Sequence, residues 1–534
     1  MSFAANNYQQ MNFNDKSFSL TEREMKMLEK SWAKDFSEHI FPSIDESKFA
    51  CIYSDKASRP NTPVNVIVGA LVLKELLVLS DEEIVDSLMF DTRFQYALHT
   101  TSFKEQPLSD RSLSRFRERC NAYEAQTGND LIHDCVVLLS KEMAGIMNIH
   151  SNLKRMDSLM VASNIKKMSR LELLYTCVAN LVKLMHQKQD DSSLSGLEHY
   201  YEADDHNRVI YYNRSMETTS KIDTILADAK RLIPVCAGSY DEISEYQLLL
   251  RVINEQTAAD ENGNYHLKTK EDNSMNSEVL QNPSDPEATY RFKAGKSNRG
   301  YIANVVEDVN ENASIVTEYS YETNNHSDSQ FLKETIDTLG VQTEKTVLVA
   351  DGAYSGDDNQ KLANDNNIQL VTTSLTGREA NEFYADFKFS EDGKNVIECP
   401  NGCTPKSCNY IETSGQCRIS FTRSQCENCP HKNECHPKVQ KRTTSLLISV
   451  KTVDRANYQK QMKTEEFKAY ARMRNGVETI PSILRRKYRI DQMPVRGKQK
   501  TKLYFGFKIA ALNFNKLFRY LNSLDRCEQN ASFA

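Results

Sequence analysis

Three acidic residues have sequence settings that suit metal-dependent chemistry at phosphorus. Asp157 lies in the middle of a predicted strand, Asp351 closes the apolar run at 347–350, and Glu478 is nearly alone among basic residues. Two-metal phosphoryl transfer needs hard oxygen ligands that converge on Mg²⁺ or Mn²⁺. Three carboxylates on neighbouring rigid elements can supply them. Each acid taken singly is more typical of an ordinary turn or edge position.

The elements around these acids follow an α/β pattern. A strand comes first, then a helical stretch, a polar segment, alternating strands and two helix–strand pairs, at 153–163, 170–255, 258–286, 289–321, 346–350 and 370–373. This order predicts a mixed α/β sheet, in which ligands lie beyond the carboxyl ends of strands. Glu478 falls in a predicted helix at 467–489.

Length and composition limit the class of protein. A chain of 534 residues predicts two or three domains, and 39% hydrophobic with 26% charged residues is typical of a globular protein. No apolar run reaches the roughly 18–20 residues that a membrane span needs. The first 20 residues are mostly polar, which predicts a flexible tail rather than a secretory signal. We therefore expect a cytoplasmic protein with no membrane partner.

The charge is unevenly distributed along the chain. The formal net charge is −6, yet residues 472–502 are strongly basic, including Arg485, Arg486 and Lys487. Such a stripe suits a phosphate backbone, although a solvated helix face has the same composition.

A second basic feature begins at Ser109, a predicted helix start. Arg111, Arg115 and Arg119 follow at intervals of four and therefore share one helix face. This face could grip DNA phosphates. Alternatively, the arginines pair with Glu118 and Glu124 on the same helix.

Seven of the thirteen cysteines lie between 399 and 435. In a chain without a secretory signal, such a cluster favours zinc over disulfides. Cys426 and Cys429 have the spacing of one zinc knuckle, Cys399 and Cys403 could form the other, and Cys435 is a competing ligand. A reduced loop without metal is the alternative.

Several motifs occur in a fixed order along the chain. They are Arg59-Pro60, the segments 109–117, 156–164 and 284–288, Lys293-Ala294-Gly295-Lys296 with Gly300-Tyr301, the segment 349–354, and Arg474-Asn475-Gly476-Val477-Glu478 with 485–488. Over about residues 25–520 the sequence thereby resembles bacterial insertion-sequence transposases of the DDE superfamily. These have an InsH-type (DUF772-like) helical N-terminal domain and a ribonuclease H-like catalytic core.

The resemblance implies a domain plan. A helical DNA-binding domain at 21–150 would precede a catalytic domain at 151–525. That catalytic domain would carry a helical insertion at about 165–285 and a cysteine-rich, zinc-ribbon-like insertion at about 395–440.

The resemblance also implies site residues. Asp157, Asp351 and Glu478 would bind two Mg²⁺ or Mn²⁺ ions, and Arg474 would contact DNA near them. A Cys-Pro-x-Gly segment followed by Cys-x2-Cys-x5-Cys, as in related transposases, implies a structural zinc ion on four cysteines: Cys399, Cys426, Cys429 and Cys435.

The implied activity is cleavage of DNA at the terminal inverted repeats, followed by attack of the 3′-OH on target DNA. Paired ends imply a homodimer or a larger assembly. The chain departs from the family pattern Tyr-x2-Arg-x3-Glu-x6-Lys, because Ala471 and Arg485 stand at its Tyr and Lys positions. The handling of a DNA hairpin end therefore does not follow.

Two other functions fit part of these features. One is a non-catalytic DNA-binding descendant of a transposase, against which the three intact acids argue. The other is a host nuclease on the same core, against which the large helical N-terminal region argues.

Overall fold

The computed structural model describes residues 1–6, 15–56, 58–150, 152–212, 217–259, 265–269, 276–293, 295–374, 381–474 and 476–532, with side chains as far as residue 524. It divides into two compact units. The first unit comprises Met1–His150, Ser158–Ser327 and Ile480–Ala534, and the second comprises Ser151–Asp157 and Asp328–Thr479. Among the residues described, none of the helices is sufficiently long and apolar to span a bilayer.

The described residues of the first unit up to residue 150 contain seven α-helices: α1 (Glu22–Glu29), α2 (Trp32–Asp35), α3 (Val64–Leu77), α4 (Asp81–Phe90), α5 (Thr92–Ala97), α6 (Asp110–Thr127) and α7 (Leu131–Ile146). Helix α3 is mostly apolar and is buried along nearly its whole length, as expected of a central helix. The predicted helix start at Ser109 is confirmed, because its side chain accepts a hydrogen bond from the first turn of α6, and Ser80 caps α4 in the same way. The helical region predicted at 21–150 belongs to the same compact unit as later parts of the chain.

Segments before α1, in the region predicted as a flexible tail, contact later residues of the first unit. The Ser2 amide donates to the Arg59 carbonyl at 3.2 Å. Asp15 is buried, and its Oδ2 accepts from Thr101 Oγ1 at 2.8 Å. Residues 7–14 lie outside the described residues.

Strand β1 (Leu153–Ala162) runs from the second unit into the first. Helices and strands of the first unit follow: α8 (Arg170–Gln187), α9 (Asp205–Asn207), α10 (Thr218–Cys236), α11 (Ser244–Gln256), β2 (Thr257–Ala259), β3 (Tyr265–Leu267), β4 (Thr289–Lys293), β5 (Lys296–Val309) and β6 (Ser314–Thr323). Helices α8, α10 and α11 share an apolar core that includes Leu174, Leu226 and Leu249.

Strand β5 is the centre of the sheet in the first unit. It pairs antiparallel with β4 and β6 and also neighbours β1. Gly300 permits the approach to β1, because a Cβ there would lie 2.4 Å from the Val161 carbonyl oxygen. Any larger residue would force these two strands apart.

The second unit contains the parallel strands and the cysteine-rich region. Its elements after β1 are α12 (Asp328–Leu339), β7 (Thr346–Ala350), α13 (Asp357–Asp365), β8 (Ile368–Thr372), β9 (Lys388–Phe389), β10 (Val396–Glu398), β11 (Ser407–Ile411), β12 (Gln416–Thr422), α14 (Arg423–Glu427), α15 (Lys432–Cys435), β13 (Lys438–Val439), β14 (Thr443–Ile448), α16 (Val450–Met462) and α17 (Glu465–Arg474). Strand β7 lies between β1 and β8 and is parallel to both.

These pairings give a sheet of mixed direction. The predicted mixed α/β sheet is confirmed, and it is compatible with a ribonuclease H-like core. Strands β11 to β14 form a separate four-stranded antiparallel sheet with its own core, which includes Cys417, Ile419 and Phe421.

Two helices complete the first unit: α18 (Thr479–Arg486) and α19 (Lys498–Ser532). Helix α19 packs against α3, α7 and β6. Its Phe505, Ile509 and Leu512 are buried, so the end of the chain supplies part of the core of this unit.

Candidate active site

The register of two parallel strands brings Asp157 and Asp351 together. Arg155 of β1 is opposite Val349 of β7, so the same register two residues further on sets Asp157 beside Asp351. Asp351 directly follows β7, and its Oδ1 accepts a hydrogen bond from the Gly352 amide at 2.6 Å. This bond fixes the carboxylate at the carboxyl end of the strand.

Glu478 lies in a turn and not inside a helix. The prediction of one helix over 467–489 is wrong, because α17 ends at Arg474 and α18 begins at Thr479. Gly476 stands in this break, where a Cβ would be 2.0 Å from Arg155 Nη1. That nitrogen donates to the Met473 carbonyl at 2.9 Å. The Arg155 guanidinium thus occupies the space that a side chain at 476 would need.

The three acids meet at one guanidinium. Arg474 Nη1 donates to Glu478 Oε1 at 2.8 Å. Its Nη2 lies 3.8 Å from Asp157 Oδ2 and 3.8 Å from Asp351 Oδ2. The Arg474 side chain is only 15% exposed. The structure therefore brings together all four residues that the sequence predicts for this site.

These acids offer hard carboxylate oxygens, the donors that Mg²⁺ and Mn²⁺ prefer. In the described ranges, no three His, Cys, Asp or Glu side chains are arranged to hold a metal ion as they stand. The donor chemistry of Asp157, Asp351 and Glu478 fits a divalent ion, and Arg474 lies among their oxygens.

A separate cluster in the second unit consists of thiols. A cavity of about 30 Å³ is lined by five cysteines: Cys399, Cys403, Cys426, Cys429 and Cys435. Burial, followed by the neighbouring thiols, raises the pKa of Cys435 to about 12. The four cysteines predicted for zinc are thus together, and Cys403 is a fifth member.

The arginines of α6 have different surroundings. Arg111 and Arg115 are exposed, whereas the Arg119 guanidinium lies 4.8 Å from the centre of the Tyr53 ring. Glu124, the alternative partner considered for these arginines, pairs with Lys502 at 2.9 Å.

Much of the basic stripe at 472–502 is engaged within its own unit. Arg485 pairs with Asp491 at 3.1 Å, and Lys498 pairs with Glu322 at 2.5 Å. Lys487 donates to Asn515, and burial together with the charge of Arg519 lowers its pKa. Arg486 is exposed. These contacts show that a basic composition alone overstates the surface available to a phosphate backbone.

Two comparisons by family decide the class of protein. A model described as a transposase DDE domain matches residues 398–518, and a model described as a transposase domain (DUF772) matches residues 26–119. Both matches support an insertion-sequence DDE transposase. No curated protein and no solved structure compared with the chain matches it. The first match contains Glu478 and the thiol cluster, and the second contains the arginines of α6.

Sequence reasoning assigned no role to Arg155 and Gly476, two residues that meet at the turn containing Glu478. Arg155 precedes Asp157 by two positions on β1 and therefore shares its face of the strand. Gly476 was part of a recognised motif. Its contact with Arg155 joins positions more than 300 residues apart, which no local pattern signals.

We predict that Gly476→Ala lowers the free energy of unfolding by about 1–2 kcal/mol, because the added Cβ breaks the charge-assisted bond from Arg155 to Met473. In a protein that already carries Arg155→Ala, Gly476→Ala should leave the free energy of unfolding almost unchanged. Urea unfolding of the single and double variants measures this coupling.

Gly356→Ala is the matched control. A Cβ at 356 meets its nearest atom at 3.9 Å, so stability should barely change. An equal cost of Gly476→Ala with and without Arg155 would contradict the role given to this contact.

Proposed function

We propose that this transposase hydrolyses DNA strands at the ends of its element and joins the resulting 3′-OH to target DNA. Asp157, Asp351 and Glu478 would hold two Mg²⁺ or Mn²⁺ ions. The observation that carries the proposal is the convergence of these acids on Arg474, from positions separated by 194 and 127 residues. Family membership supports the same chemistry.

The roles of the side chains follow from their contacts. Bound ions would activate the attacking oxygen and stabilise the leaving oxygen. The Gly352 amide engages Asp351 Oδ1, which orients Oδ2 towards the other acids. Arg474 would contact a DNA phosphate beside the acids. DNA at terminal repeats and target would be the partner, two or more copies would act on paired ends, and the protein would work in the cytoplasm.

We predict that the purified transposase cleaves and joins DNA bearing the ends of its element in Mg²⁺ or Mn²⁺, and that Asp351→Asn abolishes both steps. The amide keeps the shape of the side chain but removes a charged metal ligand. Gel analysis of cleaved ends and joined products measures both steps.

Asp358→Asn is the matched control, because Asp358 is 89% exposed on α13 and makes only a long pair with Lys451. It should retain both activities. Binding to the ends without cleavage would favour a non-catalytic descendant. Cleavage without joining would favour a host nuclease, and cleavage by Asp351→Asn would mean that the acid is misassigned.

For DNA binding we propose the predicted set Arg111, Arg115, Arg119, Arg485, Arg486 and Lys487, with the exposed Arg111, Arg115 and Arg486 making the primary phosphate contacts. Exposed guanidinium groups can reach phosphate without losing an internal partner. Arg119 and Arg485 would have to exchange the contacts that they make with Tyr53 and Asp491.

We predict that the double variant Arg111→Gln/Arg115→Gln weakens DNA binding and reduces the slope of log K against log salt by about two, because each lost phosphate contact contributes about 0.9. Fluorescence anisotropy over a salt series measures the slope. Arg23→Gln/Arg93→Gln removes the same charge from other exposed positions and should leave the slope nearly unchanged. Equal slopes for the two double variants would contradict a contact by α6.

We also propose a structural zinc ion on Cys399, Cys426, Cys429 and Cys435. The thiol donors suit zinc, and a divalent ion would offset the burial that raises the pKa of Cys435. Zinc takes four ligands in such sites, so Cys403 would remain a neighbour.

We predict about one zinc ion per chain by elemental analysis. Cys435→Ser should lose this ion and lower the melting temperature, whereas Cys403→Ser should keep it. Cys51→Ser, an exposed cysteine outside the cluster, is the control. If Cys403→Ser lost the zinc ion and Cys435→Ser kept it, Cys403 would be the ligand and Cys435 the neighbouring thiol.

A further inference from the structure

Arg474 contacts the carboxylate oxygens that the proposed function assigns to metal ions. Its two terminal nitrogens reach Glu478 Oε1 at 2.8 Å and the Oδ2 atoms of Asp157 and Asp351 at 3.8 Å. The guanidinium is a cation in contact with these carboxylate oxygens. Metal ions and the guanidinium therefore require the same oxygens.

The hold on the guanidinium is mainly electrostatic. Only the contact with Glu478 has hydrogen-bond length, while the other two exceed it. Arg474 Nε is buried and has no hydrogen-bond partner among the described residues. A buried donor without a partner is costly, so this position of the side chain is incompletely satisfied.

The position also suits a movable group. Arg474 is the last residue of α17 and belongs to neither β1 nor β7, and its long side chain has several rotamers. The three acids carry three negative charges against its single positive charge. Ions of higher charge would satisfy the same oxygens better, since Mg²⁺ approaches oxygen to about 2.1 Å.

From these contacts we propose that Arg474 is an exchangeable counter-ion of the three acids. It neutralises them until divalent ions bind, and the ions displace its guanidinium, which then becomes available to a DNA phosphate. The inference rests on the proposed function for the identity of the ions. Arg474 would therefore contact the acids before metal binds and a DNA phosphate afterwards.

Other roles for Arg474 give different results without DNA. A residue that only contacts DNA would not alter metal affinity. A residue that only holds the acids in place for metal would lower the affinity when it is removed. A competing counter-ion raises the affinity when it is removed.

The test is Mn²⁺ binding to the full-length protein without DNA, by isothermal titration calorimetry. Arg474→Gln should bind Mn²⁺ roughly tenfold more tightly than the unsubstituted protein, the size expected for loss of a charge-assisted contact. Arg474→Lys keeps the positive charge but not the two terminal nitrogens of the guanidinium, so its Mn²⁺ affinity should lie between those of Arg474→Gln and the unsubstituted protein. Arg472→Gln removes an equal charge from an exposed position of α17 and should leave the affinity unchanged.

Asp351→Asn identifies the site and should weaken the measured binding. Thermal unfolding in EDTA should show Arg474→Gln folded at the assay temperature but with a lower melting temperature, because its acids lack their counter-ion. Unchanged or weaker Mn²⁺ binding by Arg474→Gln would overturn the inference, as would binding that does not depend on Asp351. Tighter binding in a protein that neither cleaves nor joins DNA would refute the proposed function alone. Cleavage with unchanged Mn²⁺ affinity would refute this inference alone.

Discussion

Repulsion among three carboxylates is the constraint on which the candidate site depends. Asp157, Asp351 and Glu478 repel one another when they approach a common point, so rigid elements and an opposite charge must hold them there. The parallel register of β1 and β7 fixes the first two acids. The turn against Arg155 fixes the third, and Arg474 supplies the charge.

The parts of the site that lie on strands were predictable because their signals are local. The apolar run that forms β7 ends one residue before Asp351, and an acid at a strand end followed by glycine is a recognisable pattern. Strand β1 matches its predicted span for the same reason. Register was not predicted, yet the 194-residue separation of Asp157 and Asp351 equals the offset between paired residues of β1 and β7. The separation can be recognised as a strand register only when the pairing of β1 with β7 is known.

The parts that sequence reasoning missed depend on contacts distant in the chain. Residues 467–489 have helical composition except at Asn475-Gly476, a pair typical of turns that the helix prediction did not weigh. No local pattern, however, indicates that Arg155 will occupy the space beside Gly476. The basic stripe misleads for a related reason. Lys498 and Lys502 belong to it by composition, but acids from other segments of the first unit pair with them. The sequence gives the number of basic residues in a segment. The structure is needed to separate those with internal partners from those that face solvent.

The long intervals between the acids do not weaken the site, because each interval contains a part that packs on itself. Helices α8, α10 and α11 bury their apolar faces in a common core, and the sheet of β11 to β14 has another. A segment that satisfies its own hydrophobic surface can enter between a strand and the next element without disturbing strand pairing. The register of β1, β7 and β8 therefore needs nothing from these segments. Their own chemistry, including the five-thiol cluster, can vary while the geometry of the three acids stays the same.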